Sequence, residues 1–458
     1  MQTEKKTYIE TFGCQMNERD SEIMARMLAD ENYSPTGDIG QADLIVINTC
    51  SIREKAEQKV YSLLGRLRNL KKKNPSLIIS VAGCVAQQEG KRLQEKMNHV
   101  DIVLGPQQIY RLPELVRQAG ARNGQQLAVE QTPNFRIPRF TASSPAPKPA
   151  ETPEKEEEAP FRKFVTIMQG CNNFCTYCVV PFTRGRETSR PPADIIAEVT
   201  HLASEGVKEV TLLGQNVNSY GRAKDGSLGY IPFPELLREV SQVDGIRRLR
   251  FTTSHPKDLS PELVDSFATL DNLCPHFHLP VQSGSNRILK LMNRKYTIEQ
   301  YLERVAALRQ ACPGIVLTTD IIVGFPGETD EDFEATMQLL DTVRYHGAYS
   351  FKYSDRPQAR SVSFADKVAE PVKTARLTRL QDRQSAISLA RNREYEGTVQ
   401  TVMVEGESKS GAGQWSGRTA TNIIVNFEAP PLAAGREIRV RITEGLRHSL
   451  RGELLTDT

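Results

Sequence analysis

The sequence predicts an α/β protein with three parts: an N-terminal doubly wound parallel sheet, a central series of six strand–helix units, and a C-terminal small antiparallel β-barrel. Apolar, β-branched runs alternate with amphipathic segments through residues 1–140, and the same alternation returns from residue 161 to about 370, within a central part that we expect to span 161–387. Short runs punctuated by glycine fill residues 388–458. A chain of 458 residues is long enough for about three domains of ordinary size.

Three strand-like runs of the N-terminal part end in a cysteine. The runs are TYIETFGC, LIVINTC and LIISVAGC, and they end at Cys14, Cys50 and Cys84. Doubly wound sheets bind ligands outside the carboxyl ends of their strands, so we expect these cysteines to converge on one rim. There they can hold an iron–sulfur cluster and leave one iron open. The alternative is three buried core cysteines, since this residue type is common in protein interiors.

A linker and a second α/β pattern follow. Residues 141–160 contain five prolines and an acidic run, which is typical of a solvated tether. The six strand candidates after it are FVTIMQG, EVTLLGQN, RLRFTT, HFHLPVQ, VLTTDIIVGF and AYSFKYS. Helical periodicity separates them at 192–205, 233–242, 260–270, 297–310 and 330–345.

The most informative stretch is residues 165–186, VTIMQGCNNFCTYCVVPFTRGR. Its cysteines, Cys171, Cys175 and Cys178, have the spacing CxxxCxxC. Three thiolates on one tight loop can bind three irons of a [4Fe–4S] cluster and leave the fourth iron available for chemistry. Structural zinc usually has four ligands in short-spaced pairs, and no fourth Cys or His lies near Cys178 in sequence, so zinc is the weaker alternative.

Polar residues follow several of the central strand candidates. In barrels of parallel strands the site lies at the carboxyl ends of the strands, so these residues are candidates for ligand binding. Each one alone is as common in a loop or helix cap. They are Gln215, Asn216, Asn218, Ser254, His255, Gln282 and Asp320, with Gly324 in the segment DIIVGFPGET.

The C-terminal part is balanced in charge, but its residues 436–451 are locally basic. Such a segment can follow the phosphates of a nucleic acid. The alternative is an accessory barrel with solvated strand edges. The basic residues are Arg436, Arg439, Arg441, Arg447 and Arg451.

Composition and the distribution of apolar residues argue against a secreted or membrane-spanning protein. A formal net charge of +3 does not by itself indicate nucleic-acid binding. The charged N-terminus lacks an apolar signal segment, and no apolar run approaches the ~18 residues of a membrane span. We therefore expect a cytoplasmic protein without a membrane segment, in which clustered cysteines are more often metal ligands than disulfides.

The stretch GCNNFCTYCVVPFTRGRE closely resembles the radical S-adenosylmethionine (SAM) enzymes. This resemblance implies a partial (β/α)6 barrel that binds a [4Fe–4S] cluster and SAM at the carboxyl rim of its strands. It also implies cofactor-binding roles for one aromatic residue and for several residues at strand ends, namely Tyr177, Gln215, Asn216, Ser254, Gln282, Asp320 and Gly324.

With its three parts together, the chain resembles the radical SAM methylthiotransferases from end to end. The motifs TFGCQMNERDSE, VINTCSIREKAEQK and AGCVAQ carry this resemblance beside the cysteine loop, and the C-terminal part resembles the TRAM domain, an RNA-binding module. The resemblance implies two [4Fe–4S] clusters with six catalytic and metal-ligating cysteines. It also implies two SAM molecules: one methylates a sulfur held at the N-terminal cluster, and the other is cleaved to a radical that removes a hydrogen.

Within that family the motifs are closest to the branch that methylthiolates C2 of N6-isopentenyladenosine at position 37 of tRNA. We expect as partners the anticodon stem–loop of tRNA and an electron donor such as flavodoxin or ferredoxin, and we expect a monomer. Candidate contacts to the RNA substrate are Arg184 and Arg186, which follow the cysteine loop, and Arg436, Arg439 and Arg441.

Three alternatives remain open. Two sister activities act on a threonylcarbamoyl-modified adenosine of tRNA or on an aspartate of a ribosomal protein. A third, non-enzymatic alternative is an iron–sulfur RNA-binding protein that senses redox state. Only the enzymes need a SAM pocket, so release of 5′-deoxyadenosine from SAM discriminates between the two classes.

Overall fold

A computed structural model describes residues 4–51, 54–121, 124–132, 135–139, 160–222, 230–408 and 413–455. The predicted linker, 141–160, lies outside these residues except for Pro160. The chain divides into two compact units. The first contains residues 1–157, 168–172 and 179–190, and the second contains 158–167, 173–178 and 191–458.

The first unit is built on a six-stranded sheet, in which every pair of neighbouring strands is parallel. The strand order is β2-β1-β3-β4-β5-β6. The strands are β1 (Lys5–Thr11), β2 (Tyr33–Pro35), β3 (Leu44–Thr49), β4 (Ile78–Gly83), β5 (Ile102–Leu104) and β6 (Gln126–Ala128), and the helices are α1 (Gln15–Ala29), α2 (Glu54–Lys73), α3 (Cys84–Lys96) and α4 (Leu112–Gly120).

Apolar side chains cover both faces of this sheet. On one face, Met24 and Leu28 of α1 pack with Leu115 of α4, and on the other, Val60 of α2 packs with Leu93 of α3. Such two-sided cover explains why β3 and β4 are buried along their whole length and read as unbroken apolar runs. The predicted doubly wound sheet is confirmed.

The second unit begins with β7 (Arg162–Thr166), after which β8 (Met168–Gln169), α5 (Val180–Thr183) and β9 (Thr188–Ser189) belong again to the first unit. The second unit continues with strands β10 (Glu209–Leu213), β11 (Arg248–Thr252), β12 (His276–His278), β13 (Val316–Val323) and β14 (Gly347–Lys352), and with helices α6 (Pro192–Ser204), α7 (Phe233–Ser241), α8 (Pro261–Thr269), α9 (Asn286–Leu291), α10 (Ile298–Ala311) and α11 (Asp330–Val343).

All six central strand candidates are strands, and they pair in parallel. They form two three-stranded sheets, β7-β10-β11 and β12-β13-β14, and an isolated bridge pairs Leu249 of β11 with Leu273, just before β12. The predicted open series of six strand–helix units is therefore confirmed. Asp332 closes a capping box with Thr329 at the start of α11 and forms an ion pair with Arg287.

Helix α12 (Glu370–Arg393) is the longest described helix, and the sequence pattern did not reveal it. Only two of its buried side chains, Leu380 and Ile387, are apolar, so the apolar pattern marks its inner face weakly; the others are Arg376, Gln384, Ser388 and Asn392. The predicted start of the last domain, residue 388, falls inside this continuous helix. That boundary stays a prediction, although the last strands begin only after the helix.

The C-terminal strands close into a five-stranded barrel in the order β15-β16-β17-β19-β18. They are β15 (Val399–Glu407), β16 (Gln414–Thr419), β17 (Ile424–Glu428), β18 (Glu437–Gly445) and β19 (Leu450–Leu454). A small barrel was predicted, but one pair differs from the expected antiparallel arrangement. Strands β17 and β19 run parallel, since β18 and β19 form a hairpin whose second strand closes the barrel against β17.

Two buried arginines of β11 connect this barrel to the central strands of the same unit. Arg248 donates to the carbonyl of Arg418, and Arg250 donates to the carbonyls of Thr419 and Ala420. Arg248 also pairs with Glu437 at 3.0 Å. Among the described residues, no helix has the length and apolar character needed to cross a membrane.

Candidate active site

The structure brings Cys14, Cys50 and Cys84 together in the first unit. They stand at the carboxyl ends of β1, β3 and β4, which are neighbours in the sheet. Cys14 is the N-cap residue of α1, Cys50 directly follows β3, and Cys84 is the first residue of α3. The thiols of Cys14 and Cys50 are hydrogen-bonded to each other. The three cysteines therefore lie together on one rim of the sheet, as the sequence predicted.

Two glycines make this approach possible. Gly13 has φ +125°, and a Cβ there would lie 2.2 Å from Cβ of Cys50 and 2.9 Å from its sulfur. Gly83 has φ +94°, and a Cβ there would lie 2.4 Å from the carbonyl oxygen of Thr49. Both positions need the conformational freedom of glycine and also the absence of a side chain. Because these two glycines lack a side chain, the carboxyl ends of β1 and β4 can lie directly against that of β3.

A buried guanidinium lies beside the three thiols. Nη2 of Arg184 donates to Oδ1 of Asn17 and to Oδ2 of Asp20, both at 2.8 Å. Only 3% of Arg184 is exposed, and Asp20 is similarly buried. Arg184 was predicted to contact substrate directly, but the first unit encloses its side chain. The sequence could not reveal this, because its partners lie in α1, far away along the chain.

These contacts shift the pKa values of the cysteines in opposite directions. The hydrogen bond with Cys50 and the charge of Arg184 lower the pKa of the Cys14 thiol to about 6, although burial opposes them. Burial raises the pKa of the Cys84 thiol, and the Arg184 charge only partly offsets this effect. An anionic group on this rim would therefore meet one readily ionised thiol and a fixed positive charge.

The described residues contain no three His, Cys, Asp or Glu side chains grouped to hold a single metal ion. A cubane cluster binds each cysteine through a different iron, so its ligands do not have to meet at one point. Three thiols on separate strand ends, with a buried cation beside them, suit such an anionic cluster.

The CxxxCxxC loop is divided between the two units. Cys171 belongs to the first unit, where its backbone N–H donates to the carbonyl of Gly185 at 3.2 Å. Gly170 has φ +82°, and a Cβ there would lie 2.1 Å from the carbonyl oxygen of Arg186. Glycine at position 170 therefore lets the chain turn into the loop against its own returning strand.

Cys175 and Cys178 belong to the second unit. The Cys175 sulfur lies 3.5 Å from Nη1 of Arg294 and 4.0 Å from Nε2 of His255. Burial and the charges of Arg294 and Lys257 lower the pKa of His255 far below its ordinary value, so its imidazole is neutral. Each cysteine set thus has a buried arginine next to a thiol. Arg294 carries no motif, and sequence analysis missed it.

Tyr177 packs inside the second unit. Its ring contacts an apolar cluster formed by Ile288, Met292, Phe325 and Tyr353. Its hydroxyl accepts a hydrogen bond from Arg294 at 3.4 Å, and burial raises its pKa well above the ordinary value. It therefore fixes the cysteine loop against the core. Its predicted contact with a bound cofactor stays a prediction.

Buried polar atoms without partners mark the carboxyl ends of β10 and β11. Both side-chain polar atoms of Asn218, Oδ1 of Asn216 and Oγ of Ser254 have no hydrogen-bond partner among the described residues. These residues are at most 5% exposed, and such buried groups are normally satisfied. A polar ligand such as SAM can supply the missing partners, so the residues present fit this cofactor. Gln215 is half-buried beside them.

The remaining predicted cofactor residues have clear local roles. Gln282 has φ +73°, and its backbone N–H donates to the carbonyl of Asp320. The Asp320 carboxylate is partly exposed and lies 3.4 Å from Nε2 of His278. Gly324 has φ +71°, a left-handed conformation that favours glycine, and a Cβ there would lie 2.2 Å from Cγ of the Lys373 side chain. Contacts of all three to SAM stay predictions.

Several residues with left-handed backbone (positive φ) lie near the cysteine loop and the strand ends. Five non-glycine residues of the cysteine loop, the strand ends and the α9–α10 connection have positive φ. Such conformations cost free energy and are often kept at functional sites. These residues are Phe174 (50°), Thr253 (71°), Gln282 (73°), Asn293 (60°) and Lys295 (59°).

The predicted RNA-contacting arginines other than Arg184 are at the surface. Arg186 is exposed, and so is Arg436. Arg439 and Arg441 alternate with the buried Ile438 and Val440 along β18, so both point away from the barrel core. A regular pair of cations on an outer barrel face can follow a phosphate backbone. Whether they contact RNA stays a prediction.

Comparisons with known families agree with this arrangement. Residues 165–340 match the Radical SAM superfamily, residues 6–105 match the Uncharacterized protein family UPF0004, and residues 393–455 match the TRAM domain. A solved radical SAM methyltransferase, TsrM from Kitasatospora setae, has a similar fold. Its TM-score is 0.56 at 14% identity, covering 87% of this chain and 78% of that one. The fold and the cysteine loop define the class of the radical SAM enzymes.

Curated relatives refine this class. The chain is 54% identical to the tRNA-2-methylthio-N(6)-dimethylallyladenosine synthase of Desulfotalea psychrophila, covering 99% of this chain and 100% of the relative. It is 52% identical to the synthase of the same name from Geotalea uraniireducens, with the same coverage. The chain belongs to this family of tRNA methylthiotransferases, the MiaB type, as its motifs predicted.

Proposed function

We propose that this chain transfers a methylthio group to C2 of N6-isopentenyladenosine at position 37 of tRNA. The observation that carries the proposal is the convergence of Cys14, Cys50 and Cys84 at three neighbouring strand ends, in a chain that also has a radical SAM loop. One cysteine set suits reductive cleavage of SAM. The other suits a second cluster, at which sulfur can be held.

We further propose two [4Fe–4S] clusters, one for each cysteine set. When bound, the clusters and SAM supply the sulfur transfer and the radical chemistry, which side chains cannot perform. The protein's own residues then position and shield these groups. Arg294 and neutral His255 lie against Cys175, where they restrict access of water to the thiolate. Asn216 is fixed by Asp258 at 2.8 Å, so its free Oδ1 is held in place for the cofactor.

A surface for the substrate base lies on β12, β13 and β14. His278 is paired with Thr318 in the strand register, and Asp320 with Tyr349, so these side chains share one face of the sheet. The ring of Tyr349 is 59% exposed and lies 5.9 Å from that of His278. Exposed aromatic rings beside polar groups suit an unstacked base with an apolar substituent. We assign the modified adenine to this face.

The remaining partners follow from this substrate. We propose that the anticodon stem–loop of tRNA also contacts the outer face of β18 through Arg439 and Arg441. A one-electron donor such as flavodoxin or ferredoxin would reduce the cluster of the CxxxCxxC loop. A tRNA substrate also favours the cytoplasm as the location, and we propose a monomer.

Mass analysis of tRNA nucleosides from cells with and without this chain tests the activity. We expect methylthiolated isopentenyladenosine only when the intact chain is present, and loss of that product in a Cys175→Ala variant. A Cys274→Ala variant is the matched control, because it removes a thiol that is also buried but lies outside both sets. Methylthiolation of threonylcarbamoyladenosine or of a ribosomal-protein aspartate instead would contradict the proposed substrate.

An assay of the purified chain distinguishes an enzyme from a redox sensor. Under anaerobic conditions, the reconstituted chain with SAM and a chemical reductant should release 5′-deoxyadenosine. Binding of tRNA without this product would favour the sensor.

A further inference from the structure

The side chain of Arg184 has a donor group that the described residues do not satisfy. Nη2 is occupied by Asn17 and Asp20, whereas Nη1 is buried and has no nitrogen or oxygen partner among the described residues; the guanidinium also forms a hydrogen bond with the Cys84 thiol. A guanidinium carries five N–H donors, and buried donors are rarely left unsatisfied. A ligand that accepts hydrogen bonds next to Nη1 would resolve this.

The groups around Arg184 indicate the charge of that ligand. Its guanidinium acts electrostatically on Cys14 and on Cys84, and its effect on each exceeds that of Asp20. The guanidinium therefore lies beside these thiols. Asn17 is itself fixed, because its Nδ2 donates to the carbonyls of Phe12 and Thr49 at 2.9 Å. The guanidinium is thus held in one orientation on the rim.

We propose that Arg184 is a positioning residue of the N-terminal cluster: its free N–H group donates to the anionic cluster held by Cys14, Cys50 and Cys84, and its charge stabilises the reduced form. This inference rests on the proposed function, which assigns a cluster to these cysteines. Hydrogen bonds and net charge around a cluster set its reduction potential.

The direction of the effect follows from charge. Three thiolates outweigh the positive charge of an oxidised [4Fe–4S] core, and one further electron makes the whole group more negative. A nearby fixed cation therefore favours the reduced state and raises the potential. Removal of this cation should lower the potential, even when the cysteines are intact.

The test uses the full chain with Cys171, Cys175 and Cys178 replaced by alanine, so that bound iron reports on the N-terminal set alone. Arg184→Gln is combined with Asp20→Asn, so that no buried carboxylate loses its partner. Arg186→Gln is the control, because this exposed arginine lies two positions along the same segment. Iron content, the midpoint potential from a titration followed by electron paramagnetic resonance, and thermal unfolding of the iron-free chain are measured.

We expect the double variant to show about a tenfold lower ratio of reduced to oxidised cluster at a fixed potential, because Arg184 acts on Cys14 and Cys84 more strongly than Asp20 does, so loss of the cation outweighs loss of the opposing carboxylate. For a one-electron couple this corresponds to a midpoint about 59 mV lower. Loss of iron with unchanged unfolding of the iron-free chain would also support the assignment. An unchanged midpoint with full iron would overturn it, as would unfolding of the iron-free double variant, which indicates a purely structural role.

Arg184→Lys gives a second check, because it keeps the charge and loses the planar fork. The shift of its midpoint potential from that of the parent chain should be smaller than the shift in the double variant. An equal shift in both would contradict the role of charge. If the parent chain with Arg184 intact binds no iron, the proposed cluster itself fails, and this outcome is distinct from failure of the Arg184 assignment.

Discussion

Replacing Cys50 by alanine should show whether the two cysteine sets hold separate clusters with separate functions. The change removes one sulfur from a residue that is 2% exposed, and Cys14 and Cys84 remain on the neighbouring strand ends. Two [4Fe–4S] clusters give about eight irons per chain, so loss of the N-terminal cluster should leave about four. Cys171, Cys175 and Cys178 lie on one short loop, although Cys171 belongs to the first unit and the other two to the second, so their cluster should assemble independently of the three strand ends.

The assay measures iron, 5′-deoxyadenosine and methylthiolated tRNA in the same anaerobic preparation. Cys50→Ala should keep about half the iron and still release 5′-deoxyadenosine, but should form no methylthio product. Cys175→Ala should also keep about half the iron, but it should release no 5′-deoxyadenosine. Cys274→Ala removes an equally buried thiol outside both sets and should change neither product.

Two results would refute this reasoning. Methylthiolated tRNA from Cys50→Ala would show that the N-terminal set is not the sulfur site. Loss of all iron from Cys50→Ala, with Cys274→Ala intact, would show that the clusters do not assemble independently.

Three further predictions follow from local geometry. Gly13→Ala places a Cβ 2.2 Å from that of Cys50, so iron content should fall by about half, as for loss of one cluster; full iron would contradict the close approach. Replacing Arg439 and Arg441 by glutamate should weaken tRNA binding and lower the slope of log affinity against log salt by about two, with an unchanged slope counting against contact. Asp332→Asn should lower the unfolding free energy at pH 7 by about 1 kcal/mol. Since the hydrogen bonds and ion pair of Asp332 outweigh burial and lower its pKa to about 2, this difference should shrink as the pH falls from about 4 towards 2, and a constant difference would refute it.

The cysteine sites were predictable because their signals are local. The ends of β1, β3 and β4 can be found from apolar runs, and parallel topology then places Cys14, Cys50 and Cys84 on one edge. The central strands were equally clear, since each is a compact apolar run between helical periods.

The supporting residues were not predictable, because their roles depend on tertiary contacts. Arg184 resembles any arginine of a surface loop until α1 provides Asp20 beside it. Arg294 lies far from Cys175 in sequence, and its burial depends on packing of the whole second unit. Helix α12 was missed for a related reason, since polar side chains form much of its buried face.

The arginines of β11 have a consequence for attempts to exchange the C-terminal barrel with that of another protein. Arg248 and Arg250 donate to backbone carbonyls at the end of β16 and directly after it, so these contacts depend on the path of the chain, and Arg248 also pairs with the side chain of Glu437. A foreign barrel with an otherwise unrelated sequence should be accepted if the chain keeps its path at the end of β16 and an acidic residue stands at the position of Glu437. A close homologue with one residue inserted there should leave buried guanidinium donors of both arginines without these carbonyl acceptors, so chimeras should be selected by loop length before sequence identity.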